Sequence, residues 1–222
     1  MIRALVFDFD GLILETEVPI FQSWQELFQE YGLDLPFELW AQNIGTADEL
    51  FDPVSILSEH VGPQIDLTEA FKRRHRRELE LIGDQPLPGV IDTLNEARSL
   101  GLKIGLASSS SCRWVEGQLS RLGLRHFFEV VQASDDVERT KPDPALFSST
   151  VELLGVRPEQ AIAFEDSPNG ILAAKRAGLY CVAVPNDLTR QTDISQADLV
   201  LDSLIDLPLR DLIRRIEGNV LV

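Results

Sequence analysis

The spacing of apolar residues changes rhythm along this chain, and the change divides it in two. From about Gly89 onward, short apolar runs alternate with segments whose apolar positions recur every three to four residues. The first kind suits a buried strand and the second an amphipathic helix. Leu102–Ala107, Phe128–Gln132, Ala161–Phe164, Tyr180–Val184 and Asp198–Leu201 predict strands. Val90–Leu100, the stretch after Ser108 to about Leu122, Pro144–Leu154 and Asn169–Ala177 predict helices. Gly101, Gly155 and Gly178 close three of these as left-handed C-terminal glycines do. Such alternation predicts a parallel sheet covered by helices on both faces, with ligands at the carboxyl ends of the strands.

Before Gly89 the rhythm is different. Ala4–Phe7 predicts one short buried strand, and roughly 70 residues of helical character follow it. The helices expected there are Val18–Tyr31, Phe37–Asn43, Asp48–His60 and Leu67–Leu81, punctuated by Gly32, Gly45, Gly62 and Gly83. Pro86-Leu87-Pro88-Gly89 marks the return to the sheet. The expected architecture is α/β: a Rossmann-like doubly wound parallel sheet (residues 1–15 and 89–222) carrying a small four-helix cap (residues 16–88). A cap rooted beside the first strand is placed to act as a lid.

Composition narrows the function. The 222 residues suffice for one large domain or a domain with a smaller insert. A formal charge of −16 argues against a nucleic-acid partner, because an acidic surface repels polyphosphate. It leaves open a small anionic substrate, since a metal ion and one or two cations reverse the field inside a cleft. No apolar stretch approaches the roughly 20 residues that span a bilayer, and Met1-Ile2-Arg3 leads into no signal-peptide core. Cys112 and Cys181 fit neither a metal spacing nor a disulfide framework. A cytoplasmic protein with no membrane partner is expected, a monomer by default with a homodimer left open.

Four places carry chemistry, each just after a predicted core strand or its loop. Ala4–Phe7 runs into Asp8-Phe9-Asp10-Gly11, two carboxylates whose proximity is costly unless a cation or a shared proton relieves it. Ser108 follows Leu106-Ala107 and leads into a helix whose free N–H groups favour an anion. Lys141 stands in Lys-Pro-Asp-Pro144. Glu165-Asp166-Ser167 follows Ala163-Phe164. Carboxylates, a hydroxyl, an ammonium and a helix N-terminus together suit Mg²⁺ with hard oxygen ligands and a phosphoryl group. Taken singly, each has a plainer reading: a calcium-loop fragment, a helix cap, a surface lysine, a capped helix. His60, His75 and His126 form no ligand spacing, and Trp24, Trp40 and Trp114 read as packing residues. Lys72–Arg77 reads as a solvated helix face, unless one arginine reaches the cleft.

The motifs D-F-D-G, L-A-S, K-P-D-P and E-D-S, in this order, resemble those of the haloacid dehalogenase-like hydrolases over essentially the whole chain. The helical insert looks like the cap of their phosphatase and β-phosphoglucomutase branch. The resemblance implies an aspartyl-phosphate mechanism with Asp8 as nucleophile, Asp10 as general acid and base, Ser108 on a phosphoryl oxygen and Lys141 neutralising charge. It implies Mg²⁺ held by Asp8, Asp10 (through its carbonyl), Asp166 and Glu165, the last directly or through water. Gly11, Leu12 and Ser109 would offer backbone N–H groups to the substrate, a small phosphorylated metabolite. Thr16, Glu17, Thr46 and Asp48 would be the cap side chains that reach its leaving group. Departures matter too. Glu15 stands for the usual aspartate, Ile20 for a gating histidine of the mutases, and Asp48 where those enzymes carry an arginine for the distal phosphate. These favour a phosphomonoester hydrolase; a hexose-phosphate mutase and a non-catalytic phosphate-binding protein are the alternatives.

Overall fold

A computed structural model describes residues 1–46 and 51–218. The described sheet has six strands: β1 (Ala4–Phe7), β2 (Lys103–Ala107), β3 (Val130–Gln132), β4 (Ala161–Glu165), β5 (Tyr180–Ala183) and β6 (Leu199–Val200). All pair in parallel, in the spatial order β3-β2-β1-β4-β5-β6. β1 is therefore central, and the order reverses direction beside it, between β1 and β4. In such sheets that reversal opens a crevice at the carboxyl ends of the strands.

Side chains of β1 alternate between two cores, as the period of a strand requires. Leu5 and Phe7 enter one cluster, Ala4 and Val6 the other. The expected doubly wound α/β fold is what the chain adopts. Phe7 also stacks on Phe164 of the adjacent strand, with ring centroids 4.9 Å apart and planes at 17°. Aromatic pairs of this kind contribute about 0.5–1.5 kcal/mol beyond area burial. The stack matters for function because it fixes the register Phe7↔Phe164, and the next residue on each strand is a carboxylate.

Four described helices follow β1 before the chain returns to the sheet: α1 (Glu17–Glu30), α2 (Phe37–Trp40), α3 (Pro53–Val61) and α4 (Thr68–Leu81). They gather around their own apolar cluster, with Phe21, Trp24 and Phe28 of α1 against Trp40, Leu57 and Ala70. Two are shorter than their periodicity suggests. α2 ends at Trp40 and a turn follows, instead of running to Asn43. The helix expected over Asp48–His60 begins only at Pro53. There Asp52 caps it by accepting from the N–H groups of Val54 (2.9 Å) and Ser55 (3.2 Å), with proline at the first helical position. Asp48 lies outside the described residues. The chain enters and leaves this insert side by side: the N–H of Leu87 donates to the carbonyl of Ile13 (2.8 Å).

Beyond the insert, α5 (Val90–Ser99), α6 (Cys112–Arg121), α7 (Ala145–Leu153), α8 (Pro168–Arg176) and α9 (Leu209–Ile216) cover the sheet. On one face α5, α6 and α9 supply Leu94, Leu119 and Leu212 to the core, while α7 and α8 cover the other through Phe147 and Ile171. The sequence reading assigns no element to α9, although Leu209, Leu212, Ile213 and Ile216 carry helical spacing. The α4 arginines do not reach the cleft. Arg73 pairs with Glu30 (2.8 Å) and Arg77 with Glu26 (2.9 Å), both on α1, and Arg74 pairs with Glu78 (2.7 Å) and lies over the Trp24 ring. No described helix is long and apolar enough to cross a membrane.

Candidate active site

The register of β1 and β4 sets two carboxylates side by side. Asp8 follows Phe7 and donates its backbone N–H to the carbonyl of Phe164 (2.9 Å), while Glu165 ends β4. Oxygen atoms of Asp8, Glu165 and Asp166 all lie within 4.8 Å of one another, and all three residues are buried. The chain from β3 to α7 brings Lys141 between them. Its ammonium, only 1% exposed, donates to Asp8 Oδ1 and to Glu165 Oε1 (2.5 Å). The other Glu165 oxygen accepts from the N–H groups of Asp166 (3.1 Å) and Ser167 (3.2 Å) and from the Ser167 hydroxyl (3.1 Å). Both oxygens of Glu165 are thus engaged by the protein itself, one of them in holding Lys141. Gly170 permits this packing: a Cβ there would lie 1.9 Å from Glu165 Oε1.

Three buried carboxylates share one ammonium, and their acidities register the imbalance. Burial, reinforced by the Glu165 charge, pushes the Asp8 carboxyl up to about 8 against the opposing pull of Lys141. Burial and then the charges of Glu165 and Asp8 hold Asp166 well above the usual carboxylate range. For Lys141, burial works to lower the value, but Asp8 and Glu165 outweigh it and hold the ammonium above its ordinary range.

Asp10 is wired separately. Its Oδ1 accepts from the Thr16 hydroxyl (2.9 Å) and the Trp114 indole N–H (3.0 Å), and its Oδ2 from the Ser110 hydroxyl (2.6 Å). Its carboxylate is outside the three-carboxylate cluster, consistent with an expected metal contact through its carbonyl alone. Gly11 turns with φ +75°, and a Cβ there would fall 2.3 Å from Asp166 Oδ2, so the backbone approaches the cluster closely. Ser108 is buried and its hydroxyl accepts from the N–H of Ser110 (3.0 Å). The cap of α6 is Ser111, which accepts from the N–H of Trp114 (3.3 Å) and leaves Ser108 without capping duty.

Besides the start of α1, a loop of the insert touches this edge. The Ser109 hydroxyl donates to the carbonyl of Gly45 (3.1 Å) and the Asn169 amide to that of Ile44 (2.8 Å). Between loop and core lies a cavity of about 70 Å³ that Asp8, Asp10, Ser108 and Ser109 line from one side and Glu17, Asn43 and Thr46 from the other. Leu12 is buried in the core with its N–H donated to the carbonyl of Phe9 (3.4 Å), and it borders a neighbouring groove of about 290 Å³ with Glu15 and Arg190. That larger groove lacks the cluster's Asp8 and Glu165, so its size does not make it the chemical centre.

Three residues at this edge escaped the sequence reading. Asn186 donates to Asp166 Oδ2 (2.9 Å) from the loop after β5, while its own carbonyl oxygen accepts from the N–H groups of Leu188 and Thr189. Its place just past a core strand was the available signal. Ser110 lay within a run of four serines. Trp114, expected as packing, spends its indole N–H on Asp10.

A family model for "Haloacid dehalogenase-like hydrolase" matches residues 5–184, from within β1 to just past β5, and includes every cluster residue. The chain belongs to the haloacid dehalogenase-like hydrolases. It is 46% identical over 212 residues to "Putative phosphatase YhcW" of Bacillus subtilis (strain 168), covering 94% of this chain and 95% of that protein. It is 33% identical over 180 residues to the phosphorylated carbohydrates phosphatase of Thermotoga maritima, with 80% and 82% covered. The crystal structure of β-phosphoglucomutase from Clostridium difficile superposes with a TM-score of 0.76 at 25% identity, covering 99% of each chain. The enzyme is therefore a hydrolase of this family, and its acidic cluster has the donor chemistry of a hard divalent cation. Oxygen ligands only, net negative charge and carboxyls whose pKa is raised by burial and by one another's charge all fit such a cation, Mg²⁺ among them.

Proposed function

We propose that this protein is a Mg²⁺-dependent phosphomonoester hydrolase of the cytoplasm, acting on a small phosphorylated metabolite through an aspartyl-phosphate on Asp8. The single observation that carries this reading is the buried convergence of Asp8, Glu165 and Asp166 at the carboxyl ends of β1 and β4, with Lys141 paired to the first two. Asp8 and Asp166 would hold the cation with the Asp10 carbonyl, and Glu165 would contribute directly or through water. When bound, Mg²⁺ supplies positive charge that keeps Asp8 ionised and offsets charge on the phosphoryl oxygens.

Asp8 attacks phosphorus in line, and the bond to the leaving oxygen breaks. Asp10, lining the same cavity, gives that oxygen a proton and then takes one from the water that hydrolyses the acyl phosphate. Lys141 keeps its ammonium beside Asp8 throughout, and the Ser108 hydroxyl and the Ser109 N–H orient phosphoryl oxygens; the N–H groups of Gly11 and Leu12, expected to join them, donate instead to the carbonyls of Leu14 (2.8 Å) and Phe9 (3.4 Å). The insert, assigned here as a cap over residues 16–88 on a core of 1–15 and 89–222, excludes bulk water through the Gly45 loop, with Thr16, Glu17 and Thr46 toward the leaving group. The two free cysteines suit a reducing compartment.

Hydrolysis of p-nitrophenyl phosphate tests the reading. Turnover should require Mg²⁺, stop with EDTA and be lost in Asp8→Asn. Activity indifferent to both would end it.

A further inference from the structure

Asp8 is oriented by a charged partner, Lys141, and Asp10 is not. The described side-chain donors on the Asp10 carboxylate are all neutral: the hydroxyls of Thr16 and Ser110 and the indole N–H of Trp114. They divide by place. Ser110 lines the cavity together with Asp8, Asp10 and Ser108, and its hydroxyl donates to Oδ2 (2.6 Å). Thr16 and Trp114 are not among the described residues that line it, and both donate to Oδ1 (2.9 and 3.0 Å). One oxygen is thus anchored behind the cavity and the other turned toward it.

These donors are not equivalent. A hydroxyl rotates about its C–O bond and accepts as readily as it donates, whereas an indole N–H only donates, along a direction set by its ring. Ser110 can therefore turn aside as Oδ2 passes a proton, while Trp114 keeps its hold on Oδ1. The ring is itself held in place. Trp114 is the third residue of α6, where its backbone N–H donates to the Ser111 hydroxyl (3.3 Å). Its side chain packs against the core cluster that contains the buried Val115 next to it. Packing alone does not demand a partner for an indole in this protein, since the buried N–H of Trp40 has none among the described residues. Without the indole, Asp10 would be left to two hydroxyls that themselves rotate, and its terminal torsion is broad.

We infer that Trp114 is a positioning residue for Asp10: its indole N–H fixes Oδ1 so that Oδ2 meets the leaving oxygen of the ester. The inference rests on the hydrolase reading and deepens it, by tying the proton-transfer step to a side chain of α6.

The test uses aryl phosphates of similar shape whose leaving oxygens need a proton to different degrees, with Mg²⁺ present. p-Nitrophenolate departs readily as an anion, whereas the leaving oxygens of phenyl and p-methoxyphenyl phosphate gain more from protonation. Trp114→Phe keeps a ring and removes the N–H. In that variant kcat/KM should fall by about 10- to 100-fold for phenyl and p-methoxyphenyl phosphate, and by about threefold or less for p-nitrophenyl phosphate. Asp10→Asn should show the same dependence on the leaving group, more strongly. A role in packing alone would lower every ester together, so equal losses, or none, in folded Trp114→Phe overturn the inference and leave the hydrolase reading intact. A second measurement does not depend on that variant's folding: the indole N–H signals of the three tryptophans in ¹⁵N-labelled protein. One of them should move in Asp10→Ala far more than the other two; three unmoved signals overturn the inference. No turnover of any ester by the unaltered enzyme overturns the hydrolase reading and the inference with it.

Discussion

The carboxyl edge of the sheet and the loop of the insert that faces it are built to different standards. At the edge, Lys141 binds two carboxylates, Glu165 makes four hydrogen bonds, and Gly11 and Gly170 leave no room for a methyl group. Side-chain hydrogen bonds from Ser109 and Asn169 tie the loop to the core, and both are accepted by backbone carbonyls, those of Gly45 and Ile44. The difference teaches a division of labour. Groups that must be held to fractions of an ångström for bond-making sit on rigid strands, while groups that must admit and release a ligand sit on a segment whose attachment is easily exchanged.

The comparison breaks most decisively at Asp8. Asp8→Asn should lower phosphate-ester hydrolysis by at least about 10³-fold, measured as kcat with saturating Mg²⁺, while leaving the fold in place. Lys141→Met tests whether the edge is also structural. Removing the ammonium leaves Asp8 and Glu165 buried without their partner, and stability should fall by about 3–5 kcal/mol in urea unfolding. An unchanged midpoint would show that the cluster is not the tightly coupled unit described.

The loop should respond in the opposite way. Gly45 has φ +77°, and a Cβ there would lie 2.1 Å from Ser167 Oγ. Gly45→Ala should therefore displace the loop, raise KM by about 10- to 100-fold and change thermal stability little. Asn43, whose side chain brackets the backbone N–H (2.9 Å) and carbonyl (2.5 Å) of Phe51, should behave alike but more mildly in Asn43→Ser.

A further effect is a matter of pH. Burial, then the charges of Asp10 and Glu15, push the Glu17 carboxyl up to about 8. A carboxyl raised on folding takes up protons that the unfolded chain has released, so its contribution falls as pH rises from the ordinary value of 4.5 to about 8. Glu17→Gln should accordingly raise Tm at pH 8.5 relative to wild type and leave it nearly unchanged at pH 4.5. A gain independent of pH would show that the charge of Glu17 is not what opposes folding.

Much of this was written in the chain. Strand runs and helical spacing specify the α/β order because burial in a two-faced sheet leaves a readable apolar run, and each carboxylate of the cluster follows such a run directly. The helix boundaries in the insert were less legible, since Asp52 and Pro53 stop a periodic segment that apolar spacing alone would extend. Trp114, Ser110 and Asn186 were hidden for another reason: indole, hydroxyl and amide groups carry no sequence pattern that says which acceptor they will meet.

Local sequence thus determined the elements and the order of the chemical residues, because each is a property of neighbours along the backbone. Tertiary structure alone decided that Glu165 spends one oxygen on Lys141, that Asp10 is held by Trp114, and that the Gly45 loop closes over Ser109. Those outcomes depend on strand register and on helix packing between residues some 20 to more than 100 positions apart, where free energy is shared across contacts that no single segment encodes.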